Sequence, residues 1–193
     1  ARIPLAEKDA RVAEVVRYYK SRPDLALSSV PKSMELMEGQ PYSKSFRARA
    51  PRFNGLIWSY HWMQMALYDA MLVAANDRER AANITGVIKR FRAMHAGATP
   101  AQPTAMPMTP AIAPRFAARY PEASVIFDNM HALHDVVSDI LTSPVVPAGR
   151  KREALLRAAA AYRDDTTAVT TVDAWREMAR MMGAEHMGGV AMP

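Results

Sequence analysis

The chain has 193 residues, half of them hydrophobic, which is enough for one domain with a core and excludes a wholly disordered protein. Its 25 lysines and arginines against 19 aspartates and glutamates give a net charge of +6, which favours contact with acidic surfaces but does not identify a partner. Because the chain has no cysteine, disulfides, thiolate metal sites, iron–sulfur clusters, covalently attached c-type haem and cysteine nucleophiles are all excluded. Any metal would have to be held by His, Met, Asp or Glu.

Apolar periodicity predicts an all-α fold, a single-domain helical bundle of about six helices spanning residues 1–193. Proline-rich segments at 21–53 and 96–114 are expected to be long connections, and glycines make a flexible tail of 183–193. The first segment, 5–20, has the pattern of an exposed amphipathic helix. The later helices are expected at 78–95, 109–119, 126–141, 150–163 and from 172 onward, with Asn76 and Thr171 as caps.

The most apolar segment, 56–75, is long enough to span a bilayer. His61, Gln64 and Asp69 lie in its middle, where a polar or ionisable group in lipid is costly. The segment is therefore predicted to be the central helix of the bundle, buried on all sides, and not a transmembrane segment.

The stretch 126–141 combines a helical core pattern with two histidines. Its apolar residues recur at the spacing of a bundle seam: Ile126, Met130, Leu133, Val137 and Ile140. His131 and His134 lie beside this seam. Asp128 and Asp135 stand three residues before and four residues after His131, so either could bond its imidazole and set the tautomer.

On the central helix, His61 and Met65 are one turn apart on one face, and imidazole and thioether groups can ligate copper or haem iron. Since bundles build metal sites from facing helices, we predict a cofactor site formed by His61, Met65, His131 and His134. A metal ion would be held by His61, His131, His134 and Asp135, with Asp128 as a second possible carboxylate. The candidates are copper, iron or zinc, or a b-type haem. The alternative is that each histidine bonds a backbone carbonyl or hydroxyl in the core.

Two further methionine-containing segments are weaker candidates for copper: Met106-Pro107-Met108, and the tail with His186, Met187 and Met192. A di-iron carboxylate site is not expected, because no Glu-x-x-His occurs. Nucleophile, phosphate-loop and dinucleotide motifs are absent, so no catalytic residues are predicted. Sequence-specific nucleic-acid binding is not expected either, since the basic residues are dispersed without a recognition-helix pattern.

The sequence therefore favours a metal- or haem-binding helical protein acting in electron transfer or metal handling. The alternative is a non-catalytic accessory subunit whose long connections wrap a protein partner, and a metal-dependent oxidase or hydrolase is a third possibility. The lack of cysteine suits an exported protein, periplasmic or extracellular, although cytoplasmic proteins also lack it. The start at Ala1 is compatible with signal cleavage, initiator-methionine removal or truncation.

Overall fold

The structure is a computed structural model that describes residues 3–96 and 102–182. Within these ranges it is 71% helical and has no strands, which confirms the all-α prediction. The α-helices of the described part are α1 Leu5–Lys20, α2 Met34–Glu38, α3 Ser45–Arg49, α4 Pro51–Val73, α5 Asp77–Met94, α6 Thr109–Ile112, α7 Pro114–Arg119, α8 Pro121–Thr142, α9 Lys151–Arg163 and α10 Val172–Met181. Six of them have seven or more residues, in agreement with the expected number of long helices. The predicted tail lies outside the described residues.

Side chains cap two helix starts as the sequence indicates. The Asn76 carboxamide oxygen accepts a hydrogen bond from the Glu79 amide at the start of α5 (2.9 Å), and the Thr171 hydroxyl oxygen accepts one from the Ala174 amide at the start of α10 (3.1 Å). Both satisfy an amide that has no partner within the helix. None of the helices in the described ranges has the length and apolarity that crossing a membrane requires.

Helix α4 departs from its prediction in two ways. It begins at Pro51, a residue that the first turn of a helix tolerates, and not at residue 56. Asn54 therefore lies inside the helix, where its amide donates to the Thr104 carbonyl (2.9 Å) and its oxygen accepts from the Trp58 indole (3.0 Å). The expectation that α4 is buried on all sides is wrong, since Tyr60 is 53% exposed on a face that also carries Phe53 and Leu56.

Residues 102–109 run beside α4 and fill part of the core. Asn54 bonds Thr104, and the Thr109 hydroxyl lies 3.3 Å from the Met65 sulfur. The buried residues of this segment are Pro103, Met106, Pro107, Met108 and Thr109. The described part of this long connection therefore packs on the chain's own core.

The buried face of α8 is not the predicted seam. Of the five seam positions only Ile140 is buried, and Met130 is 46% exposed. The helix is turned so that Asp128, Asp135 and Asp139 face inward, and two of them, Asp128 and Asp139, bond main-chain amides of other segments. Asp139, for example, accepts from the amides of Lys44 and Phe46 at the start of α3 (2.7 and 2.8 Å). Hydrogen bonds to a carboxylate offset the cost of burying it, so polarity alone does not mark the outer face.

Candidate functional site

The structure brings three of the predicted site residues together in one cluster. His61 of α4 and His131 of α8 are in ring contact, with centroids 3.8 Å apart. His134 completes the group, and its ring centroid lies 6.4 Å from that of Trp58, which in turn is 5.6 Å from that of His61. His61 is 3% exposed, His131 is half-buried and His134 is exposed. The histidine cluster therefore runs from the core to the surface.

Backbone carbonyls hold two of the three imidazoles in defined tautomers. His61 donates from Nε2 to the Pro107 carbonyl (3.0 Å), and His131 donates from Nδ1 to the Phe127 carbonyl (2.8 Å). A carbonyl oxygen accepts only, so each of these nitrogens must carry the proton. The other nitrogen of each neutral ring, Nδ1 of His61 and Nε2 of His131, is left with a free lone pair. Nδ1 of His61 is buried and has no hydrogen-bond partner.

The environment keeps these rings uncharged. Burial lowers the pKa of His61 well below its ordinary value of 6.5, and the nearby His131 and His134 lower it further. Burial likewise lowers the pKa of His131, and His134 adds to the effect. Neutral imidazole is the form that binds a metal, so protonation does not block either nitrogen at neutral pH.

The three rings do not have the spacing of a finished metal centre. Two imidazoles on one tetrahedral ion place their ring centres about 5 Å apart, because each metal–nitrogen bond is about 2 Å long. The 3.8 Å between His61 and His131 is shorter, so the rings would have to separate to share an ion. Across residues 3–96 and 102–182, no group of three or more His, Cys, Asp or Glu side chains is positioned to hold a metal.

Met65 is fully buried one turn beyond His61, and its sulfur accepts a hydrogen bond from the Thr109 hydroxyl (3.3 Å). The sulfur atom of Met65 therefore already has a hydrogen-bond partner within the core.

Asp128 does not set the tautomer of His131, in contrast to the sequence expectation. Its carboxylate accepts from the amide and hydroxyl of Thr109 (hydroxyl at 2.6 Å) and from the indole of Trp175 (2.9 Å). Burial raises the pKa of Asp128 to about 7 despite these donors. The tautomer of His131 is set instead by the Phe127 carbonyl.

Asp135, the predicted carboxylate ligand, lies among a different set of charges. Burial and the nearby Asp139 raise its pKa to about 7, with Arg47 and Glu38 as its other charged neighbours. The structure therefore places Asp135 with α2 and α3 and does not bring it to the histidine cluster. Tyr162 belongs to the same region, and burial together with Asp135 raises the pKa of its hydroxyl.

The weaker copper candidates fall elsewhere. Met106 and Met108 are core residues packed with Trp58, while His186, Met187 and Met192 lie outside the described residues. The remaining histidine, His95, follows α5 and bonds the Gln102 amide through Nδ1 (2.7 Å).

The sequence analysis allowed for a backbone carbonyl as the partner of each histidine, and the structure shows such a bond at His61 and His131, but the sequence did not identify which carbonyls they are. The Phe127 carbonyl could have been foreseen, since it lies one helical turn before His131. The Pro107 carbonyl is 46 residues from His61, and no local pattern links the two.

Comparisons of the chain with protein-family models, curated proteins and solved structures find no match.

Proposed function

We propose that the protein binds one transition-metal ion through His61, His131 and His134 and acts in metal handling. The observation that carries this proposal is the buried Nδ1 of His61, which has no hydrogen-bond partner and belongs to a ring in contact with His131. A buried polar atom without a partner costs about 1–3 kcal/mol, and a metal bond would recover that cost.

The tautomers of His61 and His131 support the proposal. Metal-ligating histidines usually donate their second ring nitrogen to a carbonyl or carboxylate, which fixes the ring and raises its basicity. Both rings make such a bond to a main-chain carbonyl. On binding, the two rings would separate by about 1 Å, the difference between their present contact and the spacing that tetrahedral coordination needs. His131, being half-buried, has more room to move than His61.

The charge of the surroundings favours monovalent copper among the candidate ions. Asp128 and Asp135 are engaged elsewhere, so the ligands are neutral imidazoles. Burying a charge without a counter-ion is costly, and the cost rises with the charge of the ion. Cu(I) accepts imidazole ligands and carries a single charge, whereas zinc and ferrous iron carry two.

A single ion is favoured over a b-type haem. The ring of His61 stacks on Phe127 with centroids 5.1 Å apart and meets His131 on contact, so the packed rings leave no slot for a macrocycle between them. Metal handling is favoured over electron transfer because the exposed His134 gives an ion a path between solvent and the buried ligands. An exported location remains a prediction that rests on the absence of cysteine.

The proposal is tested with protein purified without a histidine tag and titrated anaerobically with Cu(I) against a competing chelator, with zinc and ferrous iron measured in parallel. We expect one copper ion per chain and tighter binding of copper than of zinc. His131→Gln and His134→Ala should each weaken copper binding by tenfold or more, since each removes one nitrogen ligand.

The matched control is His95→Gln, which removes a histidine outside the cluster and should leave the affinity unchanged. Circular dichroism of each variant reports whether the fold is kept. Absence of stoichiometric metal, or equal losses for the control and the cluster variants, would refute the proposed site.

One observation, the exposed apolar face of α4, favours the alternative role of an accessory subunit. Phe53, Leu56 and Tyr60 are 56%, 36% and 53% exposed at helical spacing, and aromatic residues are enriched where proteins meet. The described parts of the two long connections do not support wrapping arms, because Leu27, Lys32 and residues 106–109 are buried on this chain. Light scattering of the wild type and of Leu56→Glu distinguishes the possibilities: a self-association that this variant abolishes would favour the subunit role.

A further inference from the structure

A groove of about 380 Å³ lies between α1 on one side and parts of α4, α5 and α7 on the other. One wall is formed by Tyr68, Met71 and Leu72 of α4 with Phe116 of α7, and α1 faces it with Val12. The volume is within the range of small-molecule sites, which are mostly apolar clefts with a few polar groups.

The α4–α7 wall is held in place by direct contacts. Tyr68 and Phe116 stack with ring centroids 5.3 Å apart, and the Asp69 carboxylate accepts a hydrogen bond from the Phe116 amide (2.8 Å). The Tyr68 hydroxyl also accepts from the Gln64 amide (2.8 Å). An apolar ligand would therefore meet a preformed surface, and little ordering would be required on binding.

Helix α1 covers this wall incompletely. It has 16 residues and none of them is buried. Polar contacts hold it instead: Asp9 accepts two hydrogen bonds from Arg119 (2.8 and 2.5 Å) and one from the Tyr120 hydroxyl (2.8 Å). Apolar side chains on both sides of the groove thus stay partly in contact with water, and a hydrocarbon chain between them would remove that surface from water.

The charged side chains that line the groove are all cationic: Lys8, Arg11 and Arg80. No carboxylate is among the residues lining it. Arg11 pairs with Glu7 (2.5 Å) and Arg80 with Asp77 (3.1 Å), so exposed carboxylates partly offset the charge of these two cations. In the described part of the chain Lys8 makes no ion pair. The groove is therefore apolar inside and positive at its edge.

From this combination we infer that the groove binds a single-chain anionic amphiphile, a medium-chain carboxylate, with its hydrocarbon chain between α1 and α4 and its carboxylate beside Lys8 and Arg80. The Lys8 ammonium, which no carboxylate of the described residues pairs, would attract the head group of an anionic amphiphile and repel that of a cationic one, and the site shares no residue with the histidine cluster. The inference is independent of metal binding.

The test uses the full chain in the presence of a metal chelator. Decanoate, decanol and decyltrimethylammonium are titrated below their aggregation concentrations and followed by calorimetry and by the midpoint of thermal unfolding, since a ligand of the native state raises that midpoint. We expect decanoate to bind with one site per chain, about tenfold more tightly than decanol, and the cationic amphiphile to bind most weakly.

Charge reversal at the groove provides the matching variants. Lys8→Glu combined with Arg80→Glu should weaken decanoate binding by tenfold or more and improve binding of the cationic amphiphile. Arg78→Glu combined with Lys89→Glu makes the same charge change at exposed positions outside the groove and should leave decanoate binding unchanged. Leu72→Asp should reduce binding of all three amphiphiles, because it places a charge on the apolar wall.

Three results would overturn the inference. The first is equal affinity for the anionic and cationic amphiphiles, and the second is an equal effect of the two charge-reversal pairs. The third is binding to phosphatidylglycerol vesicles without binding to monomeric decanoate, which would point to a membrane surface and not to a small-molecule groove.

Discussion

Replacing Asp135 by asparagine tests whether a buried acid outside the histidine cluster limits stability at neutral pH. Asp135 is 6% exposed, and burial together with Asp139 raises its pKa from 3.8 to about 7. A pKa that is raised on folding means that the acid stabilises the fold fully below pH 3.8 and that this contribution is lost as the pH rises through about 7. Asparagine has nearly the same shape but does not ionise, so its contribution stays constant.

The size of the effect follows from the same shift. Folding raises the pKa of Asp135 by about three, and a difference of one in pKa corresponds to about 1.36 kcal/mol. The ionised form of Asp135 at pH 8 therefore destabilises the folded protein by at most about 4 kcal/mol. The substituted side chain would bury an amide, at a cost of about 1–3 kcal/mol wherever its hydrogen bonds are incomplete. We expect Asp135→Asn to raise the free energy of unfolding by about 1–2 kcal/mol at pH 8 and to lose this advantage near pH 4.5.

The assay is urea unfolding of the wild type and the variant at pH 4.5, 6 and 8, followed by tryptophan fluorescence. Asp24→Asn serves as the control, because it makes the same chemical change at a side chain that is 67% exposed and not buried. The reasoning is refuted if the difference for Asp135→Asn is constant across the series or becomes less favourable as the pH rises. The same variant should also keep its copper affinity, since Asp135 is not among the proposed ligands.

Two backbone substitutions and one core substitution give further expectations. Gly86→Ala in α5 should raise the free energy of unfolding by about 0.5–1 kcal/mol, because nothing lies within 4 Å of the added methyl group and alanine is the better helix former; chemical denaturation measures the gain. Ala168→Gly should also stabilise the protein, by about 0.5–1 kcal/mol, since Ala168 has a φ of 48° that glycine adopts without strain; a lowered unfolding midpoint would contradict this. Met65→Ala should cost about 2–5 kcal/mol in urea unfolding, because it opens a cavity beside the Thr109 hydroxyl.

Local sequence signals predicted much of the helical framework. Helix α1 runs over 5–20 as its periodicity indicates, and the side chains of Asn76 and Thr171 cap α5 and α10. These features depend on residues within a few positions of one another. The start of α4 was missed because the Asn54–Gly55 pair, usually a turn signal, lies inside a helix where Asn54 bonds residue 104.

The site was only partly predictable for the same reason. The convergence of His61 with His131 follows from two apolar helices that each carry histidine, and the structure brings the rings into contact. The orientation of α8 could not be read from polarity, because Asp128 and Asp139 face inward to bond amides from distant segments. Carboxylate spacing around His131 therefore suggested ligands that the tertiary structure uses elsewhere.

Nitrogen-15 NMR of the histidine side chains tests the proposed site most directly, because it identifies which ring nitrogen carries the proton and which one meets the metal. At pH 7 and without metal, His61 should carry its proton on Nε2 and His131 on Nδ1. One equivalent of Cu(I) should then shift Nδ1 of His61 and Nε2 of His131 and leave His95 unchanged. Opposite tautomers, or a shift confined to His95, would contradict the proposed site.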